Sequence, residues 1–393
     1  MSKMTLKNPL DMHLHLRDKA TLNAVAPLSA RDFKAAVIMP NLVPPITTKS
    51  ALLAYKRRIL RACEALPSSE ITSKNLREKD ENSTQNSQIL SENSRKMSKN
   101  LNKTSEIFTK NSQKNQNSKT APNPQNFTPL MTLFYQNYEP KFLESVRDEL
   151  FAIKLYPAGI TTNSQSGVSD LSLDALAPTL EAMSELQIPL LIHGETNGFV
   201  LSREAQFAPI YAKIAAKFPR LRIVMEHITT KALCELLLRY ENLYATITAH
   251  HLLLTLDDVI GGKMCPHLFC KPIAKTESDR QALRELALSG FEKVMFGSDS
   301  APHPKRDKEC CGCAAGVFSA PVILPLLAEL FEAHSSEKNL QKFISDNAAK
   351  AHGLKFSDEK IINLVKKEWQ VPSNYGKFVP FYAGQTLKWQ VLG

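Results

Sequence analysis

The sequence predicts a single (β/α)₈ barrel over residues 1–393, and three observations lead there. The length suits one large α/β barrel as readily as two ordinary domains. Short runs rich in Val, Ile and Leu alternate with longer amphipathic stretches, the pattern of repeated βα units. The runs number eight, and one more amphipathic stretch follows the eighth.

In chain order the expected strands are 9–16, 35–39, 129–134, 152–156, 189–193, 222–227, 243–248 and 293–298. In the first, residues two apart share a face, so His13 and His15 point one way while Leu14 and Leu16 point the other. Each of the others is built on a short apolar run. Helices are expected between them, at 49–66, 172–185, 203–217, 231–239 and 278–287, with 318–332 after the last strand. Residues 339–393 are expected to add a helical and irregular extension packed on the barrel.

Residues 68–126 break the pattern. These 59 residues hold 11 Asn, 11 Ser and 5 Gln, no Gly and one aromatic, Phe108. Such a segment buries too little apolar surface to offset its ordering entropy and is expected to be a disordered surface insertion. It follows a helix and precedes the third strand, so it should emerge at the barrel face opposite the mouth and leave catalysis untouched.

With 43% hydrophobic and 22% charged residues the chain reads as globular, and no apolar run approaches the ~20 residues of a membrane span. Residues 1–10 carry no basic-then-apolar leader, and the seven cysteines are an odd count with only Cys310, Cys311 and Cys313 clustered. A cytoplasmic protein with reduced thiols is expected. The net charge of +10 is scattered and lacks an aromatic-spaced basic motif, which points to an anionic small molecule and not to nucleic acid. Ten Lys/Arg against six Asp/Glu in the 68–126 segment account for part of it.

The chemistry concentrates at strand ends. His13 and His15 converge as a metal site requires, although a His-x-His pair alone is a weak signal. Lys154, His193, His227 and Asp299 each close an apolar run, as in Pro-Leu-Leu-Ile-His193 and Arg-Ile-Val-Met-Glu-His227. In a parallel barrel these ends gather at one mouth, so six polar groups from five strands should meet there. One buried histidine is ordinarily a hydrogen-bonded core residue, but so many at one mouth are not explained by packing. Lys154 cannot ligate a cation as an ammonium. It is either ion-paired to a glutamate or, with its pKa depressed near metals, carboxylated to an anion that can hold them.

The motifs Asp-Met-His13-Leu-His15-Leu-Arg17-Asp, Ile-Met-Pro-Asn41-Leu-Val-Pro-Pro, Phe-Thr-Pro-Leu-Met-Thr, Ala-Ile-Lys154-Leu-Tyr-Pro-Ala, Leu-Ile-His193-Gly-Glu, Glu-His227-Ile-Thr-Thr-Lys, Pro-His267-Leu-Phe-Cys and Gly-Ser-Asp299-Ser-Ala-Pro-His303 follow in order. In them the chain closely resembles the short bacterial dihydroorotases of the amidohydrolase superfamily, over nearly its whole length apart from the insertion. The resemblance implies interconversion of N-carbamoyl-L-aspartate and L-dihydroorotate in pyrimidine biosynthesis, by a homodimer. It implies two Zn²⁺ per subunit, one on His13, His15 and Asp299 and the other on His193 and His227, with N6-carboxylated Lys154 between them. Arg17, Asn41 and His303 would receive the substrate carboxylate, aided by backbone near Lys271 and Ala314. Thr161 and Thr162 would sit on a mobile loop that closes over ligand, and Asp299 would carry the proton between nucleophile and ring nitrogen.

The chain departs from the family at Gly159, where Asn is usual, and at Lys271, where Leu is common. The Cys310–Cys313 run is expected to belong to a substrate loop and not to a third zinc site, because its spacing lacks a well-placed fourth ligand. His250 and His251 are expected to be structural or supporting. A hydantoinase or allantoinase would share the metal framework, yet Arg17, Asn41 and His303 favour dihydroorotate; an inactive barrel subunit would have lost ligands, and all six are present.

Overall fold

Eight parallel strands pair in chain order in the computed structural model, which describes residues 2–64 and 126–392. The 68–126 insertion lies outside the described residues except for Asn126. Strand β1 (Lys3–Lys7) stands apart; the barrel strands are β2 (Leu10–Leu14), β3 (Ala35–Ile38), β4 (Thr128–Phe134), β5 (Ala152–Leu155), β6 (Leu190–Ile192), β7 (Ile223–Met225), β8 (Leu243–Ile247) and β9 (Val294–Phe296). Each expected run contains its strand except that β4 begins one residue earlier, at Thr128, and most strands stop a residue or two short of the expected end. The sheet closes between β9 and β2, where Leu14 bridges Ser300, the Asp299 N–H donates to the His13 carbonyl at 2.8 Å and the Ser298 N–H to Asp11 Oδ1 at 2.7 Å.

Alternation along the strands sorts side chains into two layers. Leu10, Met12, Ala35, Val37, Ala152, Leu191, Val224 and Met295 fill the barrel interior, while Leu14, Ala36, Ile38, Ile153, Leu190, Ile192, Ile223 and Met225 face the helices. Ala348 and Ala351, from the helix Asn347–His352, join the interior set, and His352 packs its ring on Phe151, just before β5. That helix plugs the N-terminal end of the barrel and leaves the C-terminal end as the mouth. The described chain stops at the end of the helix Lys49–Glu64 and resumes before β4, at the plugged end.

Two expectations need correction. The segment after residue 339 is not only helical and irregular, because it contains β10 (Ile361–Gln370) and β11 (Thr386–Val391), which form a three-stranded antiparallel sheet with β1. Charged residues along β10 and β1 hide their alternation, and their partners lie hundreds of residues apart in sequence, as in Thr5 opposite Asn363. The helix expected at 318–332 spans Ile323–Ala333 instead, since Val317 is held beside Ser300 as an extension of the seam.

Candidate active site

Strand geometry aims the polar groups. In β2 the pairing with β3 slips by one residue between Asp11 and Leu14, a bulge that reverses the alternation after Met12. Met12 and His13 therefore both turn inward, and His15 follows, while Leu14 and Leu16 pack outward. Lys154 and His193 lie two residues beyond interior Ala152 and Leu191 and share their face. At β7, Glu226 and His227 both reach the interior because His227 takes a left-handed φ of 42°. Asp299 does likewise at 41°. Such backbone costs about 1–3 kcal/mol per non-glycine residue and persists where surrounding bonds impose it. Here they are the Thr246 hydroxyl, which accepts from the His227 N–H at 2.7 Å, and the His13 carbonyl, which accepts from Asp299.

Two donor groups result. His15 Nε2 lies 3.3 Å from His13 Nε2 and 3.1 Å from Asp299 Oδ1, and His13 Nε2 lies 3.6 Å from the same oxygen. His193 Nδ1 lies 3.1 Å from His227 Nε2, and the His227 and His13 ring centroids are 4.8 Å apart. Behind them stand carboxylates. Glu226 Oε2 is 2.6 Å from His13 Nδ1, and Glu195 Oε2 is 2.8 Å from His193 Nε2. A carboxylate on the outer nitrogen holds the proton there and turns the other nitrogen's lone pair to the centre.

The electrostatics fit a divalent metal. Burial lowers the pKa of His13, His15 and His227, so the imidazoles stand neutral with lone pairs available. Lys154 is wholly buried, and among the described residues its Nζ has neither a hydrogen-bond partner nor a carboxylate within ion-pairing distance. The ion-paired alternative is absent from the geometry. Burial brings this amine down to about 8, against the pull of Glu226 and Asp299. Four imidazoles, a carboxylate and a buried amine form a donor set suited to zinc.

Arg17, Asn41, Thr161, Thr162, Lys271, Ala315 and Gly316 share with the four histidines and Asp299 a cavity of about 340 Å³, counting its open mouth. Arg17 donates through Nε to the Pro302 carbonyl at 3.4 Å, and its Nη2 lies 2.9 Å from His303 Nε2. Burial, then Arg17, push His303 down to about 3, so it accepts from Arg17. It stands behind the guanidinium and does not line the cavity. Ala314 is also displaced from its expected place: its N–H donates to the Asp307 carbonyl and it lines a neighbouring groove, with Ala315 and Gly316 at the cavity instead. The loop carrying Thr161 and Thr162 is tied inward, with Asn41 Nδ2 donating to the Thr162 carbonyl at 3.0 Å and Lys271 Nζ to the Ile160 carbonyl at 2.8 Å.

Sequence reasoning assigned no role to Glu226, Glu195 or Asp11. Both glutamates stand inside motifs quoted for their histidines, and the rule that metal-binding imidazoles lean on carboxylates would have singled them out. His251 has both ring nitrogens engaged, by the Thr248 hydroxyl at 2.9 Å and the Pro272 carbonyl at 3.0 Å. His250 is buried with neither nitrogen partnered among the described residues. Cys310 and Cys311 are exposed, and His267 faces Glu309 at 2.9 Å.

The model of the amidohydrolase family matches residues 134–354. A dihydroorotase of Helicobacter hepaticus is 39% identical over 99% of this chain and 97% of its own length. The crystal structure of dihydroorotase from Campylobacter jejuni superposes with a TM-score of 0.81 at 58% identity, covering 100% of this chain and 98% of that one. Dihydroorotase from Saccharomyces cerevisiae, solved in complex with 5-fluoroorotic acid, gives 0.79 at 30% identity over 100% and 99% of the two chains. Identity at this level along nearly the whole length, on a barrel whose mouth gathers imidazoles opposite an arginine, leaves one conclusion: the chain belongs to the dihydroorotase family of amidohydrolases.

Proposed function

We propose that this mouth interconverts N-carbamoyl-L-aspartate and L-dihydroorotate with two zinc ions. His13, His15 and Asp299 would hold one and His193 and His227 the other, with carboxylated Lys154 serving both. The neutral amine favoured by burial is the form that adds carbon dioxide. Bound zinc would supply Lewis-acid polarisation and a lowered water pKa.

The chain's own groups do the rest. Burial raises the pKa of Asp299, which suits it to take a proton from the attacking water and pass it to the departing ring nitrogen, or the reverse during cyclisation. Arg17 offers a guanidinium fork to the substrate carboxylate, with Asn41 beside it and His303 bracing it. Thr161 and Thr162 cover the cavity and exclude bulk water from a reaction in which water is a reactant. The seven cysteines are free thiols, which supports a reducing, cytoplasmic setting.

The observation that carries the proposal is the buried Lys154 amine, without a hydrogen-bond partner among the described residues, beneath a cavity that His13, His15, His193, His227 and Asp299 line together with Arg17. Dihydroorotate hydrolysis, followed spectrophotometrically on purified protein, should vanish after chelation and return with zinc. Fully metallated protein that turns over hydantoin or allantoin but not dihydroorotate would overturn it.

A further inference from the structure

Beneath the cavity wall lies a second buried lysine that the mechanism above does not use. Lys308, on the short helix Lys305–Lys308, is 3% exposed, and no carboxylate of the described residues lies within ion-pairing distance of its ammonium. Its Nζ instead donates to three main-chain carbonyls: Ala314 at 2.7 Å, Gly316 at 2.8 Å and Phe269 at 3.0 Å. An ammonium has three N–H donors, so all are used. Removing a charge from water costs several kcal/mol even after relaxation, and three neutral carbonyls offset this only in a fixed geometry.

Those carbonyls belong to two separate segments of the cavity wall. Phe269 lies two residues before Lys271; Ala314 and Gly316 flank Ala315, and Ala315 and Gly316 line the cavity. The Gly316 N–H also donates to the Phe269 carbonyl at 2.9 Å, so the lysine sits on the joint between the segments. Gly316, at φ 152°, is pressed so closely that a Cβ there would come within 2.5 Å of the Ala301 carbonyl and 3.0 Å of His303 Cδ2. His303 in turn contacts Arg17. His303 also hydrogen-bonds the Ala315 backbone, so a shift of the 314–316 segment is passed to the guanidinium through His303.

We propose that Lys308 is a positioning residue for substrate binding, an internal cross-link that sets the wall carrying Lys271, Ala315 and Gly316 and, through His303, the aim of Arg17. This rests on the cavity being the substrate site. It touches no metal-ligand candidate, so its loss should appear in KM and leave turnover at saturation nearly intact.

Steady-state dihydroorotate hydrolysis, zinc content and melting temperature of Lys308→Met, Lys308→Gln and Lys308→Arg test this. KM should rise about tenfold or more in Lys308→Met and by less in Lys308→Gln, which keeps two amide N–H donors, and Lys308→Arg should recover most of the loss; kcat and zinc content should stay within about threefold. If Lys308→Met does not fold, the Gln and Arg variants keep the same ordering and decide the matter. A KM within twofold of the parent in Lys308→Gln, or kcat and zinc content falling together with melting temperature, would overturn the proposal. The underlying assignment fails separately: Arg17→Ala with an unchanged KM would remove the cavity from substrate binding whatever Lys308 does.

Discussion

The two halves of the barrel mouth are braced by opposite chemistry. On the imidazole side the outer nitrogens of His13 and His193 rest on carboxylates, Glu226 and Glu195. On the other side the cations rest on neutral carbonyls: Arg17 on Pro302, Lys271 on Ile160, and Lys308 on Phe269, Ala314 and Gly316. A carboxylate behind an imidazole makes a better ligand for a cation. A carbonyl behind an ammonium or guanidinium fixes its position and leaves its charge uncancelled, which is what attraction of a dicarboxylate requires. On the function proposed above, the backing groups would sort the mouth into a place for metal and a place for anion.

The largest effect should come from the group that stands between the halves. Asp299→Asn keeps the shape and removes the proposed proton carrier, so kcat should fall by about 10²–10⁴-fold while dihydroorotate affinity changes little. Turnover rates beside equilibrium dialysis of dihydroorotate check this. Equal losses in both would mean that Asp299 only holds the site together.

A smaller and more selective effect is expected behind His13. Glu226→Gln removes the charge that fixes the imidazole, and metal affinity should drop by about 10–100-fold. Competition with a chelator measures it, and KM at saturating zinc should hardly move. A variant that binds zinc normally but substrate poorly would break the division between the halves, because it would put a backing carboxylate in charge of the anion.

The same division decides what the sequence discloses. His13, His15, Lys154, His193, His227 and Asp299 end or follow apolar runs, and strand periodicity carries Lys154 and His193 inward without further information, whereas His227 and Asp299 turn in through a left-handed φ. The bulge that turns His13 inward needs the register with β3, which no local pattern contains. Glu226 and Glu195 stand beside recognisable histidines, but their role depends on which ring nitrogen faces the centre. On the loop side there is no period to extrapolate. The expectation therefore fell on Ala314 where Ala315 and Gly316 line the cavity, and Lys308 attracted no notice in a run of charged residues. Sheet β1–β10–β11 escaped for a related reason, since β1 joins the β10–β11 pair from the other end of the described chain.

The smallest effect concerns Gly159, where the family resemblance leads to the expectation of Asn. Gly159 adopts φ 71°, its N–H donates to the Ser164 carbonyl at 2.9 Å, and a Cβ built on it meets nothing within 4 Å. The position is therefore limited by backbone conformation and not by space. Asn tolerates the left-handed region because its short side chain can bond locally, whereas a β-branched residue pays about 1–2 kcal/mol there. Gly159→Asn should leave kcat/KM within about twofold, and Gly159→Val should weaken the loop's seat and lower kcat/KM by roughly tenfold with zinc affinity unchanged. Were Asn as harmful as Val, crowding by bound substrate would replace conformation as the constraint, and the loop would approach the ligand more closely than its bonds to Asn41 and Lys271 imply.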